Sequence, residues 1–234
     1  MFEKFFSSIG IGSAKVETFL YDNKIERGKE VNGEVHIYGG KAEQHISEIN
    51  IQIDLEFNKY YDEMTDFREF KEDILQIKID APFVIPPHEL KVIPFSFTLP
   101  YYTPITFNEQ KIYMQTELEI NFFNCPISKN KLTIIDPFID DILRLLTLHG
   151  FTHEWTSGFC RQKPPTAKNP SHYKQTFQLI NKYGDKIHFI GNEENIEIYI
   201  NENDQVHCFP IKREEEVSKQ LQNILVISKK GTSH

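Results

Sequence analysis

Apolar and polar residues alternate with period two along most of this chain. That alternation predicts half-buried strands of an antiparallel sandwich. Val31, Val35 and Ile37 share one parity, and Ile49, Ile51, Ile53, Leu55 and Phe57 share another run of it. A one-residue slip would turn that whole second set to water, so its register is strongly set. Phe95, Phe97 and Leu99 repeat the pattern, and Ile112, Met114, Thr116, Leu118, Ile120 and Phe122 form its longest stretch. Further strands are predicted at 16–20, 74–79 and 132–135. Pro82, Pro86 and Pro87 cannot donate to a ladder, so they mark an edge or an irregular connection.

Two segments break the alternation. Phe2, Phe5, Phe6 and Ile9 fall at i, i+3, i+4 and i+7, the spacing of a short helix with one aromatic face. Gly10 and Gly12 end it. Packing on the sandwich is the plain reading of that face; a membrane or partner foot is the functional one. Residues 58–73 are charged and aromatic and read as a hairpin edge or a long loop. Within them, Asp62, Glu63 and Asp66 form an acidic surface beside Tyr60, Tyr61 and Phe67, aromatic anchors of the kind interfaces favour.

After 136 the grammar changes. Asp136 suits a helix cap and Pro137 the first helical position. Phe138, Ile142, Leu145 and Leu146 lie on one helical face, and Gly150 stands where a carboxy-terminal cap belongs. A helix over 137–149 follows. Residues 161–171 form a basic, proline-rich loop. Strands are predicted at 173–180, 187–190, 196–200 and 206–209, with a hairpin turn at Tyr183-Gly184-Asp185. A last helix is predicted over 214–225, its positive end favoured by Glu214, Glu215 and Glu216. The fold class is therefore mainly β: a sandwich domain over 1–136, then a linker helix and a second β-rich unit with a carboxy-terminal helix over 137–234.

Composition narrows the function. The 234 residues carry a formal net charge of −8, so a general electrostatic grip on nucleic acid or an anionic membrane is not expected. No apolar run reaches the length of about 18 residues that a span needs, and the amino terminus does not read as a signal peptide. Three widely separated cysteines, Cys125, Cys160 and Cys208, favour reduced thiols in a cytosolic setting. Nine histidines invite a metal search. His149 and His153 are four apart and Cys160 follows, but a helix end lies between the histidines and no second ligand pair is near. Gly28-x4-Gly33 lacks the Lys-Ser or Lys-Thr of a phosphate loop. Ser157-Gly158 lacks the preceding glycine of a nucleophile elbow. No catalytic, cofactor or metal residue is assigned.

Several motifs carry a likeness. They are Gly12-Ser-Ala-Lys15-Val-Glu-Thr18, Gly28-x2-Val31-x-Gly33-x-Val35-x-Ile37-x-Gly-Gly40, Pro94-Phe95-Ser-Phe97-Thr-Leu99-Pro100, Thr103-Pro104-Ile-Thr106 and Gln115-Thr-Glu-Leu118-Glu-Ile120, with Gly150-Phe151 and Gln175-Thr-Phe177 further on. Together they resemble the bacterial sporulation-control family, stage 0 sporulation protein M and its relatives, closely in the first half and loosely in the second. The chain departs from that pattern at His88, where a glycine follows the Pro-Pro pair, and at Cys125-Pro-Ile-Ser-Lys129, where an acidic turn is usual. The resemblance implies an arrestin-like fold and a non-enzymatic cytosolic regulator or scaffold of early sporulation and cell-cycle state. Its partners would be proteins, without nucleic acid and with no cofactor. A membrane-associated trafficking or division adaptor, peripheral at the membrane or septum, is the alternative, and weak membrane association and a homodimer are further expectations.

Overall fold

The computed structural model describes residues 4–6, 13–59, 68–108, 110–120, 125–167, 169–202 and 205–230. The chain divides into two compact units, the first made of Met1–Leu99 and Gln110–Ile134, the second of Pro100–Glu109 and Ile135–His234.

The first unit holds β1 (Lys4–Phe6), β2 (Lys15–Leu20), β3 (Ile25–Glu26), β4 (Glu30–Tyr38), β5 (Gln44–Lys59), β6 (Arg68–Ile85), β7 (Leu90–Thr98), β8 (Lys111–Ile120) and β9 (Ile127–Leu132); β10 (Ile134–Ile135) carries the chain onward. One sheet has the order β1-β9-β8-β5-β6 and a second the order β2-β4-β7, with antiparallel neighbours throughout. The alternation of β5 and β8 turns Ile49, Ile51, Ile53, Met114 and Leu118 inward, where they are buried with Val35 and Ile37 of β4. Phe95 is buried and Phe97 only half-buried. One polar residue shares the inward face of β8: Thr116, whose Oγ1 accepts a 2.7 Å hydrogen bond from the Thr18 hydroxyl of β2. Buried hydroxyls need such partners, and this bond joins strands of different sheets.

Two expectations are corrected here. Lys4–Phe6 is a strand, not a helix, and runs antiparallel to β9 with Phe5 opposite Lys129. Adjacent phenylalanines favour strands, a helix of so few residues is marginal in water, and β9 offers an open ladder. The helical spacing therefore does not hold through Phe5 and Phe6. Phe2 and Ile9 lie outside the described residues. The strand expected at 74–79 is far longer, and Pro82 lies inside it; β6 is an edge strand, where proline is tolerated.

The second unit contains α1 (Pro137–Leu148), β11 (Phe151–His153), β12 (Phe159–Gln162), β13 (Tyr173–Asn181), β14 (Lys186–Ile190), β15 (Ile196–Glu202), β16 (Gln205–Ile211) and α2 (Val217–Lys230). Its sheet runs β11-β13-β14-β15-β16, with β12 also on β13. Asp136 caps α1 by accepting the Phe138 N–H at 3.0 Å, and Gly150 follows the helix at φ 87°, a left-handed conformation that suits glycine. Ile142 and Leu146 of α1 and Leu221 and Ile224 of α2 share one core with Phe177, Phe189, Ile198 and Ile200 of the sheet. α2 begins after the three glutamates rather than with them. The Gln220 side chain accepts from Lys212 N–H and donates to the Lys212 and Glu215 carbonyls, so residues 212–215 close as a turn ahead of the helix. None of the helices among the described residues is long and apolar enough to cross a membrane.

Candidate interaction surfaces

The strands β5 and β6 form one long hairpin whose register runs from Gln44 opposite Ile85 to Lys59 opposite Arg68. Tyr60, Tyr61, Asp62, Glu63, Asp66 and Phe67 fall in sequence between Lys59 and Arg68 and lie outside the described residues. The stem below them carries an unusual charge. Asp54 follows a register irregularity in β5 and is completely buried. Lys71 Nζ stands 2.8 Å from its Oδ2 and is itself half exposed, yet neither carboxylate oxygen has an aligned hydrogen bond. Burial raises the Asp54 pKa above the usual carboxylate range; Lys71 opposes that rise and the neighbouring Asp73 adds to it. The same attraction holds Lys71 above its ordinary range. Burial wins for Asp54 because water reaches only its partner.

A raised carboxyl pKa means that the folded chain holds the proton more tightly than the unfolded chain. The stabilisation from protonated Asp54 is thus present at acid pH and is lost as pH rises through the folded-state pKa. Asp54→Asn is expected to be as stable as the parent at pH 7 or more so, with the difference shrinking toward pH 4. Urea midpoints at the two pH values measure this, and a variant clearly weaker at pH 7 would show that the ion pair outweighs the desolvation.

The three-stranded sheet presents a second surface. Its outward positions align in register, with Tyr38 opposite Leu90, His36 opposite Val92 and Phe19 opposite Glu34. Leu90 is 49% exposed, Val92 43% and Tyr21 61%. At the centre, His36 Nε2 lies 2.9 Å from Glu34 and the Tyr21 hydroxyl donates to the same carboxylate at 2.9 Å. These two hydrogen bonds, His36 first, lower the Glu34 pKa. A face with aromatic and aliphatic groups around a small polar centre has the composition of a protein-binding patch.

Among the described residues, no three His, Cys, Asp or Glu side chains group as metal ligands do. His149 donates from Nδ1 to the Leu145 carbonyl at 2.8 Å. His153 Nδ1 is 2.8 Å from Ser157 Oγ, a spacing that invites comparison with a nucleophile and its base. Burial lowers the His153 pKa and so favours the neutral ring. Ser157 is itself completely buried, and its oxygen accepts the Gln178 N–H at 3.0 Å. The hydroxyl bridges two strands. Cys160 is buried, which pushes its thiol well above the usual range and makes it a poor nucleophile.

A buried amide cluster was not anticipated. Gln175 copies a strand neighbour: its Oε1 accepts the Ile105 N–H at 3.0 Å and its Nε2 donates to the Ile105 carbonyl at 2.9 Å and to the Gly158 carbonyl at 3.1 Å. Asn192 accepts the Gln175 N–H at 2.7 Å and donates to the Tyr102 carbonyl at 3.1 Å. Phe107 lies so close to Gly158 that an added Cβ would meet its ring at 2.2 Å. Asn192, Asn169 and Ser171 are linked by further hydrogen bonds. The cluster therefore straps residues 100–109 into the second unit, and the motifs Thr103-Pro-Ile-Thr106 and Gln175-Thr-Phe177 meet in it. One signal in the sequence pointed to it: Gln175 is in phase with Tyr173, Phe177 and Leu179, the inward positions of β13.

An antiparallel sandwich with open edges, followed by a helix-backed sheet, defines a mainly β protein of the arrestin-like class. The Spo0M family, described as SpoOM protein, matches residues 2–205, and the chain belongs to that family. The sporulation-control protein spo0M of Bacillus subtilis is 32% identical over 164 residues, covering 70% of this chain and 62% of that protein's length. The crystal structure of Spo0M from Bacillus subtilis superposes with a TM-score of 0.79 at 25% identity, over 94% of this chain and 99% of the solved one.

Proposed function

We propose that this protein acts in sporulation control as a non-enzymatic cytosolic regulator that binds other proteins through its first unit. The observation that carries the reading is the outward face of the three-stranded sheet, where Tyr38, Leu90 and Val92 stand exposed in register around Glu34 and His36. The family's part in sporulation control supports the biological setting. Three free cysteines, of which Cys208 is exposed, suit a reducing compartment. The hairpin end supplies a second contact, in which Tyr60, Tyr61 and Phe67 anchor the partner and Asp62, Glu63 and Asp66 tune its association.

The test is partner capture from cells entering stationary phase. Changing Tyr60, Tyr61 and Phe67 together to Ala is expected to weaken capture without loss of thermal stability, and Leu90→Ser with Val92→Ser to do the same from the sheet face. Neutralising the three acids is expected to have a smaller, salt-sensitive effect. If both apolar variants fold and still capture every parental partner, the proposed surfaces are wrong. Co-sedimentation of the protein with lipid vesicles would instead favour a membrane adaptor.

A further inference from the structure

The sheet of the second unit buries one face in the core it shares with α1 and α2. Its other face carries exposed and half-buried side chains. Cys160, Tyr173, Gln175 and Phe189 are buried on the covered side, so alternation sets Phe159 and Arg161 of β12, Lys174 of β13 and His188 of β14 on the open one.

The register of β12 on β13 places Arg161 directly opposite Lys174. Like charges in one cross-strand pair repel, and sheets ordinarily avoid them. Neither side chain forms an ion pair among the described residues. The pair sits in a basic segment: residues 161–186 hold six Lys or Arg against the single acid Asp185, a net of +5 in a chain whose total is −8. Burial, and then the charge of Lys174, holds His188 below its ordinary pKa.

An apolar feature adjoins the charges. Trp155 is 74% exposed and stands edge-on to Phe159, ring centroids 6.0 Å apart at 88°. Phe159 and Arg161 are two residues apart on one side of a strand, which separates them by roughly 7 Å. A cationic pair and an aromatic step therefore lie within the reach of one short extended segment.

We propose that this open face is a docking site for an acidic polypeptide segment. Its carboxylates lie between Arg161 and Lys174, and an apolar or aromatic side chain beside them rests on Trp155 and Phe159. A bound carboxylate relieves the repulsion of the like-charged pair, and the aromatic step supplies desolvated area of the kind that anchors interfaces. Nucleic acid fits less well. It is a long polyanion, and outside this segment the chain is strongly acidic, so the remainder of the molecule repels it. This surface differs from those of the first unit, and its test does not depend on them.

Trp155 is the sole tryptophan of the chain, beside ten tyrosines, so emission excited at the red edge, where tyrosine does not absorb, reports on this face. The probes are a synthetic nonapeptide of Asp and Glu around one Phe, the same peptide with Lys for every acid, and a twelve-residue thymidine oligonucleotide. The acidic peptide is expected to give a saturable blue shift that weakens between about 50 and about 500 mM salt, and the basic peptide none. Lys174→Glu replaces a repelling pair by an attracting one. It is expected to raise the thermal midpoint while lowering affinity about tenfold or more. Arg161→Ala is expected to weaken binding with the midpoint little changed. The proposal fails if the acidic peptide gives no shift, if Lys174→Glu folds and binds as the parent does, or if the oligonucleotide binds as tightly as the peptide.

Discussion

Arg213→Ala is expected to destabilise the protein by about 3–5 kcal/mol, the loss that follows when one partner of a buried ion pair is removed. Arg213 reaches Asp136 through two hydrogen bonds, 3.1 Å to Oδ1 and 2.9 Å to Oδ2. The side chains are 19% and 3% exposed, so the carboxylate left behind would be shut away from water. Arg213 also donates from Nε to the Glu194 carbonyl at 2.8 Å, and its guanidinium lies over the rings of Tyr101 and Phe138 at 4.5 and 4.6 Å. The substitution thus removes a cation–π stack and strains the cap of α1, because the Asp136 oxygen that accepts from Phe138 also accepts from Arg213. Urea unfolding measures the cost. Arg213→Lys is expected to fall between parent and Ala, since an ammonium keeps the charge without the paired geometry. The double variant with Asp136→Asn is expected to lose less than the two single losses added. Strict additivity would mean that the two side chains act separately.

Gln175→Leu is expected to cost about 3–5 kcal/mol, because it puts a shorter apolar side chain in place of the amide and leaves three backbone groups without partners. Those groups are the N–H and C=O of Ile105 and the C=O of Gly158. Each buried polar group deprived of its bond costs about 1–3 kcal/mol. The urea midpoint is expected to fall and the Ile105 amide to exchange its hydrogen faster, whereas amides in the centre of β5 keep their protection until the first unit opens. Gln175→Glu retains the acceptor and loses both donors, and it buries a charge, so it is expected to be worse than Leu. An unchanged midpoint for the Leu variant would show that residues 100–109 are held by their apolar contacts alone.

Much of this architecture is legible where burial is one-sided. Along most of β5 and β8 alternate residues are apolar and buried, with Thr116 and Asp54 the polar exceptions. The ends of α1 are legible for another reason: Asp136, Pro137 and Gly150 each meet a local requirement of the backbone that no distant residue alters. The opening residues mislead because their helical spacing competes with a tertiary partner, β9, that is more than a hundred residues away in the chain. The short strands β11 and β12 lack a run long enough to establish a period. The polar clusters are the least legible. Gln175 occupies an inward position of β13, but nothing local says which carbonyls it will meet, since its partners at Ile105 lie 70 residues earlier. Asp54 is hidden by its register, because a polar residue between Ile53 and Leu55 reads as solvated until the neighbouring strands close over it. The repulsion between Arg161 and Lys174 appears only once β12 is paired with β13.

The amide strap sets an order of events on the ribosome. Ile105 leaves the exit tunnel 70 residues ahead of Gln175, which at typical synthesis rates is about 4–14 s. Throughout that interval the segment has been made but lacks the amide that holds its backbone, while the sandwich that flanks it already has most of its strands. A nascent chain paused near residue 150 would therefore carry Tyr101, Tyr102, Ile105 and Phe107 before Gln175, whose amide holds both backbone groups of Ile105, has been made.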